Sequence, residues 1–188
     1  MTTGGTKGPK TGKRVVILSS SPRKGGNSDT LCDEFLKGAQ AGGHVAEKVF
    51  LGDHDIHFCT GCGACFRKGG CSQKDDMAGL LEKMVQAEVI VMATPVYFYT
   101  MSAQMKMFID RTCARYREIR NKEFYFLLTA ADGKKKAMNR TLDGFRSFTG
   151  CLDGAKEKGV VYGVGAWEAG DIKGTSAMKD AYQMGLGL

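Results

Sequence analysis

No apolar run in the 188 residues approaches the roughly 20 needed to cross a bilayer, and the N-terminus carries no hydrophobic signal segment. The expectation is a protein without a membrane partner, kept in the cytoplasm. Two phosphate-binding signatures are also missing: no Gly-Lys-Ser/Thr closes a Walker-type loop, and no Gly-x-Gly-x-x-Gly marks a dinucleotide site. Internal repeats are absent, and nothing in the composition divides the chain, so one domain is expected over residues 14–188. The first fourteen residues hold no acid. There Lys7, Lys10, Lys13 and Arg14 account for four of the +7 net charge, leaving +3 for the rest. The stretch 1–13, rich in Gly, Thr and Lys, reads as a disordered basic segment. Basic residues interleaved with aromatics on an ordered face are lacking. Arg111, Arg115, Arg117, Arg120 and Lys122 fit the solvated side of a helix and its exit, so no nucleic-acid role is expected.

What the chain does have is cysteine, seven of them. In a reducing compartment such a count points to metal or redox work rather than structural disulfides, and an odd number cannot be fully paired. Cys59, Cys62, Cys65 and Cys71 fall within the loop 53–75, the first three at two-residue spacings with glycines between them. Thiolates gathered this way hold an iron–sulfur cluster or zinc, or act as free redox thiols. Zinc sites more often separate two Cys pairs by a longer stretch. Cys32, Cys113 and Cys151 fall on expected helices as small hydrophobes. His54 and His57 read as loop histidines.

Strand-like and helix-like segments alternate with short connections, which argues for an α/β fold. Strands are expected at Val15–Leu18, Val45–Leu51, Val89–Met92, Phe124–Leu128 and Val160–Val164. Helices are expected from Asn27 or Ser28 to Gly42, after Asp75 and Asp76, from Ser102 to about Cys113, over 136–152, and from Thr175 or Ser176 to Met184. The sum is a flavodoxin-like, doubly wound, five-stranded parallel sheet with helices on both faces. Ligands bind such sheets outside the carboxyl ends of the strands. Three loops lie there: Ser19–Ser28, with hydroxyls, a guanidinium and helix-terminal amides suited to phosphate; Thr94–Thr100, expected as an irregular loop with aromatics; and Thr129–Gly133, with small residues. Each also has a plain reading, as a helix cap, as packing over the sheet end, or as a simple turn.

Together, Ser20–Ser28 (Ser-Ser-Pro-Arg-x-x-Gly-Asn-Ser), Pro95–Phe98 (Pro-Val-Tyr-Phe) and Ser102–Arg111 resemble the NADPH-dependent FMN reductase family. The likeness covers Val15 to about Arg111 and thins beyond it. It implies FMN, with the phosphate on Ser19, Ser21, Arg23, Asn27 and Ser28, and the flavin ring against Pro95, Val96, Tyr97 and Phe98. Thr129 and Ala130 complete the cofactor set, and Trp167 could cover the flavin edge or a subunit contact. Asp110 and Arg111 read as an ion pair, and no catalytic side chain is named. The cysteine loop is similar to that of iron–sulfur flavoproteins, which implies a [4Fe–4S] cluster on Cys59, Cys62, Cys65 and Cys71. The implied activity is electron transfer from NAD(P)H or a protein donor to an acceptor, with a small molecule or a ferredoxin-like protein as partner. The implied assembly is a homodimer or homotetramer. The competing readings are a non-catalytic electron carrier or redox sensor built on the same cysteine loop, and a metal-stapled binding domain without flavin.

Overall fold

The computed structural model describes residues 12–188. Five strands form its parallel sheet: β1 (Arg14–Ser19), β2 (Val45–Phe50), β3 (Val89–Tyr97), β5 (Glu123–Thr129) and β6 (Lys156–Gly163). They lie in the order β2-β1-β3-β5-β6. A two-residue strand, β4 (Thr100–Met101), runs antiparallel to the end of β3, pairing Val96 with Met101 and Tyr97 with Thr100. The expected irregular loop at 94–100 is therefore a hairpin. Its turn residues Phe98 and Tyr99 take φ values of 48° and 66°, the left-handed conformation that two-residue hairpin turns need and that aromatic residues rarely adopt.

The helices are α1 (Asn27–Ala41), α2 (Ala64–Lys68), α3 (Met77–Gln86), α4 (Ala103–Arg111), α5 (Asn139–Gly150) and α6 (Ser176–Leu186). Because successive side chains of a strand face opposite sides, the apolar strands feed two cores. Val16, Leu18, Ile90, Met92, Phe124 and Phe126 pack with Leu80 and Met84 of α3, Phe108 of α4 and Phe145 of α5. Val15, Ile17, Val89, Val91, Tyr125 and Leu127 pack with Phe35 of α1 and Ala177 and Ala181 of α6. Burial on both faces is why β1 and β3 read as continuous apolar runs.

The α1–α6 seam depends on small residues. A Cβ on Gly38 would run into the Tyr182 carbonyl, and one on Gly185 into the Phe35 carbonyl. At the opposite pole from the strands' carboxyl ends, the Lys13 amide donates to His44 Nδ1 at 3.0 Å, and a Cβ on Gly42 would meet the Leu186 carbonyl. The expected disordered segment 1–13 falls, up to residue 11, outside the described residues. Lys13 is placed, pairing with Glu123 at 2.7 Å.

Candidate functional site

A cleft of about 420 Å³ opens over the carboxyl ends of β1, β3, β5 and β6, at the switch point between β1 and β3, whose outgoing connections lead to opposite sides of the sheet. That volume lies within the roughly 300–1,000 Å³ typical of small-molecule sites. Its lining brings together Ser21, Arg23, Asn27 and Ser28 from the first loop, Pro95, Val96 and Tyr97 from β3, and Thr129 and Ala130 from β5.

Two expected site residues lie elsewhere. Ser19 is wholly buried, and its hydroxyl donates to Asp29 Oδ1 at 2.7 Å instead of facing the cleft. As the last residue of β1, two and four residues after Ile17 and Val15, its side chain falls on the face covered by α1. Phe98 sits at the tip of the β3–β4 hairpin and is 99% exposed, outside the lining.

The first loop is built around the N-terminus of α1. Gly25, at φ 70°, makes the turn, and its amide donates to Asp29 Oδ2 at 2.9 Å. Gly26 rather than Asn27 occupies the cap position, and no side chain caps the helix, so its first amides face the cleft unspent. Ser21 Oγ accepts from the Arg23 amide at 3.1 Å and donates to the Arg23 carbonyl at 2.8 Å. Ser28 Oγ is buried without any partner. An orphaned hydroxyl at an open helix N-terminus, beside a guanidinium, is the donor set an anion would satisfy. Behind this loop, Ser102 Oγ lies 2.9 Å from Ser20 Oγ, and the Ser102 amide donates to Thr94 Oγ1 at 2.9 Å. The loop is thereby fixed to β3 and the start of α4.

A fourth wall comes from the segment after β6, where Ala166, Trp167 and Glu168 line the cleft. Asn27 holds this wall: its Nδ2 donates to the Glu168 carbonyl at 2.8 Å, and its Oδ1 accepts from Gly170 N at 3.0 Å. Arg23 Nη2 reaches the Trp167 carbonyl at 3.3 Å. Asn27 is thus a clamp on the closing segment, not the helix cap that its position suggests. The partners of Asn27 lie more than 140 residues away, which no local pattern reveals. Of this wall only Trp167 stood out in the sequence, as a rare large aromatic; Ala166 and Glu168 carried no signal, whereas Pro22 and Ala131, which also line the cleft, lie within loops already marked by the sequence.

The cysteine loop lines no part of this cleft. It packs against the far end of α4, and Arg111 holds it there. Arg111 Nη1 donates to the His57 carbonyl and to Asp75 Oδ2, each at 2.6 Å, and Nη2 donates to Asp75 Oδ1 at 2.9 Å. Both side chains are nearly sealed, at 2% and 1% exposure. The Arg111 guanidinium holds the Asp75 carboxyl down to about 2. The partner expected for Arg111, Asp110, pairs instead with Lys106 one helical turn back.

The four loop cysteines do not converge. Cys62 Sγ lies 3.5 Å from Ser72 Oγ, and Cys71 Sγ accepts from Arg111 Nη2 at 3.5 Å. Among the described residues no three Cys, His, Asp or Glu side chains are grouped to hold a metal ion. The Ser72 hydroxyl, the Ala64 amide and the Thr60 hydroxyl lower the exposed Cys62 thiol to about 7.

An open parallel sheet with helices on both faces and a cleft over the carboxyl ends of its strands, at the switch point, is the architecture of the flavodoxin-like class. The chain belongs to the NADPH-dependent FMN reductase family, whose family model matches residues 13–156. It is 42% identical over 98 residues to an iron–sulfur flavoprotein of Archaeoglobus fulgidus, covering 52% of this chain and 44% of that one. It is 35% identical over 99 residues to an iron–sulfur flavoprotein of Methanosarcina thermophila, covering 53% and 52%. The chain spans about half the length of the curated relatives it matches. An azoreductase structure from Bacillus anthracis superposes with a TM-score of 0.72 at 16% identity, over 94% of this chain and all of that one, and shares the fold.

Proposed function

We propose that this chain is an FMN-dependent oxidoreductase that passes electrons from NAD(P)H or a protein donor to a small-molecule or protein acceptor. The observation that carries the reading is the orphaned Ser28 hydroxyl beside Arg23 at the uncapped start of α1, in a cleft otherwise walled by small or flat side chains. These residues fit FMN. Ser21, Arg23, Ser28 and the first amides of α1 would hold the phosphate, with the Arg23 charge offsetting that of the anion. The segments Pro95–Tyr97, Thr129–Ala131 and Ala166–Trp167 would flank the ring and keep water from it. Bound flavin supplies hydride and single-electron chemistry. The protein binds and orients it, and no side chain in the cleft needs to act as an acid or base.

The cysteine quartet as arranged does not fit a [4Fe–4S] cluster, because its sulfurs face different partners, and no electron route is drawn through one. A second reading, a redox-sensing or carrier flavoprotein, is supported by the exposed Cys62 thiol held near neutrality. Phe98 and Tyr99, exposed beside the cleft mouth, support a homodimeric or tetrameric assembly seated over the hairpin. Seven free cysteines suit a reducing cytoplasm.

The test is purification followed by an absorbance spectrum, acid release of flavin, iron and sulfide analysis, and anaerobic stopped-flow mixing with NADH and NADPH. A yellow protein that releases one FMN and is bleached by a nicotinamide supports the reductase. Bleaching only by a reduced ferredoxin-like protein supports the carrier, and a colourless protein that takes up no FMN sinks both.

A further inference from the structure

A carboxylate stands behind the loop that offers its donors to an anion. Asp29, in the first turn of α1, is buried and lines no part of the cleft. Its Oδ2 accepts from the Gly25 amide at 2.9 Å, which holds the left-handed turn at that glycine, and its Oδ1 accepts from the Ser19 hydroxyl at 2.7 Å. Asp29 therefore shapes the segment that presents Ser28 and the first amides of α1. Its charge carries a conflict. A negative group at a helix N-terminus favours the empty helix, yet it repels a second anion brought to the same amides.

The opposing charge comes from the neighbouring strand. Lys48 of β2 lies in register with Ile17 of β1, so its side chain emerges on the face covered by α1. Asp29 and Asp33 meet it there, one helical turn apart. Lys48 Nζ lies 3.0 Å from Asp29 Oδ1 and also bonds Asp33. The Asp33 side chain is 44% exposed and that of Asp29 3%. Water can offset the charge of Asp33, whereas Asp29 depends on Lys48.

We propose that Asp29 and Lys48 are a positioning couple that makes the cleft select a phosphate-bearing flavin: Asp29 fixes the Gly25 turn around the phosphate, and Lys48 cancels the charge that Asp29 places behind it. The inference rests on the FMN reading of the cleft. Neither residue touches the ring, so the couple bears on the phosphate and not on the flavin as a whole.

The experiment titrates the full purified chain, stripped of flavin, with FMN and with riboflavin, and follows flavin fluorescence. Wild type should prefer FMN. Lys48→Met should raise the FMN dissociation constant about tenfold and leave that of riboflavin within about twofold. The FMN loss should shrink as salt screens the exposed repulsion. Lys48→Arg keeps the charge and should keep the preference. Adding Asp29→Asn to Lys48→Met should recover most of the lost FMN affinity, because the asparagine oxygen still accepts from Gly25 without the charge. If the pair only braced the fold, the double variant would bind FMN more weakly still. Lys48→Gln replaces Lys48→Met if circular dichroism shows the latter unfolded. An unchanged ratio of FMN to riboflavin affinity in the folded Lys48 variant overturns the couple and leaves the FMN reading standing. A double variant that binds FMN no better than the single one does the same. A wild-type chain that binds neither flavin overturns both.

Discussion

The Ser28 hydroxyl is buried with nothing to bond, and that isolation separates a binding role from a structural one. A buried unsatisfied donor costs about 1–3 kcal/mol. Ser28→Ala should therefore raise the stability of flavin-stripped protein by about 1 kcal/mol in urea unfolding, while weakening FMN about tenfold in a fluorescence titration. A hydroxyl placed only for packing would lower both. Arg23→Ala removes a charged donor, and the FMN dissociation constant should rise about 10- to 100-fold, with a shallower salt dependence. At the cysteine loop, Asp75 carries the pH dependence. Its folded value, about 2 against an ordinary 3.8 for a free aspartate, means its contribution is complete above pH 4 and is lost as the pH falls toward 2. That contribution is on the order of 2 kcal/mol. Asp75→Asn should therefore flatten the fall of the urea midpoint between pH 4 and 2, and cost stability at pH 7 by leaving Arg111 buried and unpaired.

At the scale of elements, the β3–β4 hairpin stores strain where β-turn chemistry would place Asn-Gly. Phe98→Asn with Tyr99→Gly should raise the melting temperature by relieving about 1–2 kcal/mol. If the aromatics seat a second subunit, the same change should shift sedimentation toward the monomer. The α1–α6 seam makes the opposite prediction. Gly38→Ala and Gly185→Ala, each harmless in an isolated helix, should destabilise by about 1–3 kcal/mol in denaturant unfolding, because the two backbones have no room to part. Elements buried on both faces, such as β1 and β3, were plain in the sequence as apolar runs. The edge strand β6, which opens Lys156-Glu157-Lys158, was visible only from Val160 onward, since its first residues meet solvent. Strand β4 was not visible at all, because two residues carry no periodicity.

At the scale of the molecule, the sheet class and three of the four cleft walls were legible in sequence because each sits directly after an apolar strand. The fourth wall was not. Its residues are held by Asn27 and Arg23 across the whole length of the chain, and contacts of that separation leave no local trace. The same holds for the cysteine loop: the quartet was evident from its spacing, but Arg111 as its anchor depends on where α4 ends. The family match stops at residue 156, yet Ala166, Trp167 and Glu168 complete the cleft.

The pole where Lys13 meets His44, and Leu186 meets Gly42, lies opposite the cleft. A fluorophore, affinity handle or surface tether joined at either end of the described chain would leave from that side, with the cleft mouth facing away. The two ends also flank the same three residues, 42–44. A short linker between them, with a new opening cut in the exposed turn at Gly133, should give a rearranged chain with the same cleft. Such a chain would let the FMN assay be run on protein anchored to a surface.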